Sequence, residues 1–424
     1  MDLVERALAE LDEGTARRVE PAANRLFGPP DDRMPLEELT QLELQDFLWV
    51  KLPTKFWTES KEHHEIAWAL GDLLERLGMV RYAALCRHRR THEILASWHR
   101  DEDEGVAAAT AAIEHSGVVP PDTATVEFGE VMGPDELRVY LELAAAIEAG
   151  ITEGRLHPGT TGFERERVAA TEAFWRSGDS LARVRRDRAA SWAMGFRADA
   201  GWLDAALPVL EQAWALPENV ELSLLPARAL MQAVGDGVGL TSAGYLPPAV
   251  ALDLNDRFGW YDFIGKKPRS ESDLPQLMFV REHLTRQRLL ALRKGELRLT
   301  SLGRTCLEDV EQFWARLTDL RPRFDAFTCE VVAVSSALLM RTPDVGRADL
   351  AAEVAAMIRH RWRGDGDFER DVHWAYIDWY RVGYALGWWE ARRGRWLDRL
   401  SPRGVGAAAR AFWSVAGAPQ AFEA

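Results

Sequence analysis

Leu289-Leu290-Ala291-Leu292-Arg293-Lys294-Gly295-Glu296-Leu297-Arg298-Leu299-Thr300-Ser301-Leu302-Gly303-Arg304 is the stretch from which the fold is read. Leu290 and Leu292 alternate with small or polar residues, Leu297 and Leu299 alternate back, and Lys294-Gly295 lies between them. The spacing predicts a β-hairpin whose turn uses the freedom of glycine at positive φ. Thr300 then caps a new helix through its hydroxyl, and Gly303 admits a second backbone at close range. Upstream, Ser272 or Asp273 caps a helix that tolerates Pro275 in its first turn and carries an apolar stripe of Leu274, Leu277, Met278 and Leu284. The other face of that helix carries Gln276, Glu282, His283, Arg286 and Gln287.

The string Leu299-Thr300-Ser301-Leu302-Gly303 has a copy at Leu240-Thr241-Ser242-Ala243-Gly244 and a looser one at Leu400-Ser401-Pro402-Arg403-Gly404. The last copy also follows a basic hairpin, with Trp389 and Ala391 before Arg393-Gly394, Trp396 and Leu400 after it, and Ser401 as cap. That hairpin is longer, and the first copy has none; it opens its module at Thr241 and at Tyr245 to Pro248. Phe-Trp occurs at 56-57, 174-175, 313-314 and 412-413, against roughly 0.6 occurrences by chance, which marks repetition. Aromatic pairs at helical spacing fill interiors, so core packing is expected in preference to ligand stacking.

The first half of the chain reads as helices. Ile66, Leu70, Leu73, Leu74 and Leu77 form one stripe ended by Gly78; Pro35 opens a segment that Pro53 closes; Asp101 to Glu104 favour a helix start; and Val118 to Pro134 form the clearest loop. Val331 to Met340, the longest apolar run, is too short for a bilayer, which needs roughly 20 residues, so a buried helix and no membrane partner are expected. Three cysteines (86, 306, 329) imply no disulfide framework, and the charged N-terminus lacks an export pattern; a cytoplasmic location is expected. The net charge of −14 argues against general nucleic-acid coating. Arginine supplies 46 of the 52 basic residues, as in a GC-rich bacterial genome.

Leu299-Thr300-Ser301-Leu302-Gly303-Arg304 after a hairpin resembles the wing-to-helix junction of winged-helix regulators of the multiple-antibiotic-resistance type. From Gly239-Leu240-Thr241-Ser242-Ala243-Gly244-Tyr245-Leu246-Pro247-Pro248, through Ser272-Asp273-Leu274-Pro275, to Thr300-Ser301-Leu302-Gly303-Arg304, the chain is similar to uncharacterised actinobacterial proteins. Some of those also carry a plasmid open-reading-frame-three-like domain, for which this chain has no counterpart. Leu44 to Pro53 is similar to the N-terminal part of the same group. The resemblance implies architecture and little function. The fold class expected is mainly α: an N-terminal helical domain over 1–180, a helical connection over 181–236, and one or two winged-helix-like modules with short β-hairpin wings over 237–320 and 321–424.

Lys266 to Arg304 holds ten basic and four acidic residues, a local +6, and the C-terminal hairpin is also basic. By analogy with winged-helix binding, Gln276, His283, Arg286 and Gln287 would read bases in a major groove, while Arg293, Lys294 and Arg298, with Arg392, Arg393 and Arg395 in the second hairpin, would touch phosphate. A non-enzymatic regulator contacting DNA is the first expectation; the others are a protein-interaction scaffold, with a protein partner or homodimer, and an enzyme with an interdomain site. Signals for chemistry are weak. Cys86, His88, His92 and His99 lack a second ligand pair, His63-His64-Glu65 lacks the further histidine of a zinc protease, and Gly235 to Gly239 is followed by no phosphate-loop Lys-Ser or Lys-Thr. Gly364 to Asp367 is too short for a calcium loop, and no metal or cofactor is expected.

Overall fold

A computed structural model describes residues 2–56, 60–123, 125–129, 131–199, 201–260, 267–362, 367–390 and 397–419. The chain is mainly helical, with one three-stranded and one two-stranded sheet among the described residues. It divides into two compact units, one running from Met1 to Val184 and the other from Arg185 to Gln420. The boundary between them lies after Val184. Residues 185–236 of the expected connection belong to the second unit, whose one apolar core includes Leu203, Leu210, Leu224 and Leu230 together with residues of both C-terminal modules.

The first unit contains α1 (Leu3–Ala9), α2 (Glu13–Phe27), α3 (Gln41–Asp46, continuing through a π-turn at Phe47–Lys51 into Leu52–Lys55), α4 (Ser60–Arg76), α5 (Val80–Arg87), α6 (Arg89–Arg100), α7 (Glu102–His115), α8 (Pro134–Thr152) and α9 (Phe163–Arg176). Pro53 does not close α3, contrary to the sequence reading. The wide turn before it shifts the hydrogen-bond register, as the Leu52 amide bonded to the Phe47 carbonyl shows, and the helix runs on to Lys55. Asp101 caps α7 through the Glu104 amide, as the acidic run predicts. Buried Glu148 of α8 ties three helices together by accepting from the Gln41 amide at 2.7 Å, the Tyr82 hydroxyl at 2.8 Å and Arg81.

The second unit contains α10 (Ser180–Ala193), which begins in the first, then α11 (Leu207–Gln212), α12 (Val220–Val234), β1 (Val238–Gly239), α13 (Pro248–Phe258), α14 (Pro275–Arg286), β2 (Leu290–Arg293), β3 (Glu296–Leu299), α15 (Ser301–Glu308) and α16 (Val310–Thr318). There follow α17 (Ala326–Arg341), β4 (Val345–Gly346), α18 (Arg347–Ile358), α19 (Phe368–Ala385), β5 (Leu397–Asp398) and α20 (Pro402–Ala416). The predicted hairpin is β2–β3, with Leu290 opposite Leu299 and Arg293 opposite Glu296. Lys294 and Gly295 have φ of 52° and 81°, the two positive values that a tight hairpin turn with the native strand twist requires. β1 adds to the other edge of β3, giving the order β1-β3-β2.

The same chain path occurs twice. From α17 onward, helix, strand, helix and helix lead to a second antiparallel pairing, in which β4 meets β5 and Trp389 bridges Leu400. The junction geometry repeats atom for atom. Thr300 Oγ1 donates to the Arg288 carbonyl and accepts from the Gly303 amide; Ser401 Oγ donates to the Gly387 carbonyl and accepts from the Gly404 amide. Arg288 and Gly387 both have positive φ, 59° and 74°. The third helices of the two copies, α14 and α19, pack on each other, with Arg381 over the Phe279 ring, and Trp260, in the segment after α13, donates to the Ala385 carbonyl of α19.

The Phe-Trp pairs are core elements where described. Phe313, Trp314, Phe412 and Trp413 are buried, and Trp175 lies in the first unit's interior; Trp57 is outside the described residues.

Candidate nucleic-acid interface

α14 is amphipathic in an unequal way. Leu277, Val280 and Leu284 turn inward, and so do His283 and Gln287 on the adjoining strip, because α16 and the segment after it cover that side. His283 Nε2 donates to the Leu317 carbonyl at 2.7 Å, and the Gln287 amide donates to the Asp319 carbonyl at 2.5 Å. These two side chains, expected at base edges, instead satisfy the carbonyls at the end of α16. Gln276 is half-buried beside Trp260 and Tyr384, its oxygen enclosed by protein. The solvent strip that remains is Pro275, Glu282, Thr285 and Arg286, and Arg286 is held by Glu282 at 3.0 Å and by the Arg323 carbonyl at 3.3 Å.

The basic residues around the hairpin fall into two groups. Arg281 pairs with fully buried Glu271, Arg298 with Glu296, and Arg304 with Asp236. Arg293 and Lys294, at the turn, and Arg288 are exposed and, among the described residues, meet no carboxylate at ion-pair distance. Arg392, Arg393 and Arg395 lie outside the described residues. On the equivalent helix of the second copy, α19, the exposed positions are Glu369, Arg370, Asp371, Trp374, Asp378 and Tyr384, a face richer in acid than in base.

Burial, with the nearby Arg323 charge second, pushes His283 down to about 4. The unfolded chain therefore binds a proton that the folded chain refuses between pH 6.5 and about 4. Stability from this residue is complete above pH 6.5 and falls as pH drops through that window, by about 3 kcal/mol. His283→Gln retains an N–H for the Leu317 carbonyl and does not titrate. Urea unfolding at pH 7 and pH 4.5 should show that the variant loses about 2 to 3 kcal/mol less than the parent on acidification; equal losses would mean that His283 does not sit neutral in the core.

His92 and His99 of α6 meet histidines of α4 rather than Cys86 or His88: His64 Nδ1 is 2.9 Å from His92 Nδ1, and His63 Nδ1 is 3.3 Å from His99 Nε2. His88 accepts from the Arg90 amide and caps α6, and burial pushes the Cys86 thiol up to about 12. Among the described residues no group of three or more His, Cys, Asp or Glu side chains is arranged to hold a metal ion. Gly235 ends α12 and Gly239 belongs to β1, so the glycine-rich stretch enters a sheet. Asp367 caps α19 through the Arg370 amide; Gly364 to Gly366 lie outside the described residues. No described helix is long and apolar enough to cross a membrane.

Comparison with protein-family models, with curated proteins and with solved structures returned no match.

Proposed function

We propose that the chain is a non-enzymatic recognition protein whose second unit is a tandem of two winged-helix-like modules, serving as a platform for protein docking rather than as a reader of DNA sequence. The order helix, strand, helix, helix, strand, strand, with the first strand beside the last, supports the module assignment. The observation that carries the docking reading is the mutual packing of α14 and α19. A helix that reads bases must offer a polar strip to a groove. Here the third helices cover each other, and what stays outside is Pro275, Glu282, Thr285 and Arg286 on one and an acid-rich strip on the other.

A second reading rests on Arg293 and Lys294, exposed and unpaired among the described residues at the tip of β2–β3. Two cations on a projecting turn can touch phosphate without reading sequence. Selection of bound duplexes from a random pool at about 0.15 M salt is expected to enrich no sequence; an enriched consensus would overturn the docking reading. Any binding at lower salt should be uniform across sequences, and Arg293→Ala with Lys294→Ala should reduce the slope of log affinity against log salt by about 2.

A further inference from the structure

Four of the ten histidines meet along one seam of the first unit. α4 supplies the adjacent His63 and His64, and α6 supplies His92 and His99. The rings stack in two cross-helix pairs, His64 on His92 with centroids 5.1 Å apart and His63 on His99 with centroids 5.2 Å apart. Hydrogen bonding fixes where the protons of the neutral rings sit. His63 Nε2 faces the Phe56 carbonyl at 3.0 Å and must donate to it, so His63 Nδ1 is bare and accepts from His99 Nε2. His92 Nε2 is enclosed, under the stacked Trp68 ring, and meets no hydrogen-bond partner among the described residues. A proton there would be stranded, so the His92 proton sits on Nδ1 and is donated to His64 Nδ1.

We propose that this seam is a pH-sensitive latch, which holds α4 against α6 while the histidines are neutral and lets the two helices part when they are protonated. The His64–His92 pair cannot take a further proton in place. On His64 it would fall on Nδ1 and set two N–H groups against each other at 2.9 Å; on His92 it would fall on Nε2, where nothing accepts it. The His63–His99 pair adds to the opposition, because a charge on His99 lies with its ring centre 6.4 Å from that of His64. Burial holds His92 below the usual imidazole range, and burial followed by the charges of His92 and His63 does the same for His64.

The charged groups of the packed elements already have partners. Arg18 of α2 pairs with Glu65 of α4, Arg87 of α5 with Asp72 and Glu75 of α4, Arg89 with Glu93 within α6, and Arg100 of α6 with Glu104 of α7. Glu5 of α1 accepts from the Asp2 amide in the α1 cap, and Lys51 of the π-turn pairs with Asp46. Among the described residues no carboxylate meets His63, His64 or His92 at ion-pair distance, so an added proton there gains no counter-charge. The packing lets this seam be the one that yields: α4 packs more extensively on α5, and α6 on α7, than α4 and α6 do on each other, and His88 alone separates α5 from α6.

Amide exchange of the full chain, expressed as protection factors between pH 7.5 and 5.5, tests the latch. A histidine protonated only in the open form raises the open population about tenfold per pH unit below 6.5. Protection in α4 and α6 is therefore expected to fall at least about tenfold over this range, while α8 keeps its protection. His64→Asn/His92→Asn places an amide at both Nδ1 positions, keeps one cross-helix N–H···O bond and cannot titrate; its fall in protection should be at least about fivefold smaller. In the parent, the ring NMR signals of His64 and His92 should titrate below pH 6.5 and in step with the exchange. Unchanged protection in the parent, or an equal fall in the double variant, would overturn the proposal. So would titration of both rings with exchange unchanged, which would mean that they are protonated in place, and so would an equal fall in α8, which would mean that the whole unit loosens rather than this seam.

Discussion

Gly404→Ala is expected to destabilise the second unit by about 3 kcal/mol or more, an overpacking effect at the upper end of its usual range. A Cβ on Gly404 would fall inside the Trp388 carbonyl oxygen, which is itself fixed by the Ser401 amide at 2.8 Å. The obstruction is backbone, so no rotamer change can relieve it. Gly303→Ala should behave alike, because its Cβ would meet the Leu289 carbonyl in the equivalent place, where the Thr300 amide donates at 3.1 Å. Gly239 is the control: it has open space at Cβ and lies in a strand with ordinary φ, so Gly239→Ala should cost less than 1 kcal/mol or so. Denaturant midpoints for the three variants check this. A mild Gly404→Ala would mean that the second junction does not copy the first.

Trp314→Ala should cost about 3 to 5 kcal/mol, as expected for an indole removed from a filled interior. Trp314 is fully buried on α16, between the two copies of the repeated path; its ring meets Trp388 edge-on with centroids 6.4 Å apart, and Gly406 of α20 lies against it. The residues it joins belong to both copies, so the loss should lower the stability of both together. Hydrogen exchange of α14 and α19 in this variant should accelerate in parallel; acceleration confined to α14 would indicate two independently folding modules.

The features legible in sequence are those set by short-range chemistry. The β2–β3 hairpin, the Thr300 and Ser401 caps, the end of α4 at Gly78 and the buried helix over Val331–Met340 each depend on neighbours a few residues away. What was not legible depends on distant partners. β1 and β4 are two residues long, and they are strands only because β3 and β5 meet them. His283 and Gln287 looked like an outward polar strip because a helical pattern shows which residues share a face, not which face α16 will cover. The equivalence of α14 and α19 was hidden by their different composition and by the longer second hairpin. The histidine pairs between α4 and α6 join residues 28 and 36 positions apart, a separation that no local motif encodes.

Amide hydrogen exchange, measured with and without a saturating excess of mixed-sequence duplex at low salt, bears most directly on the claim that the third helices are occupied with each other. Unchanged exchange in α14 and α19, with any slowing restricted to the β2–β3 turn around Arg293 and Lys294, is the predicted result. Slowed exchange along α14 on addition of DNA would place that helix in a groove and contradict the account.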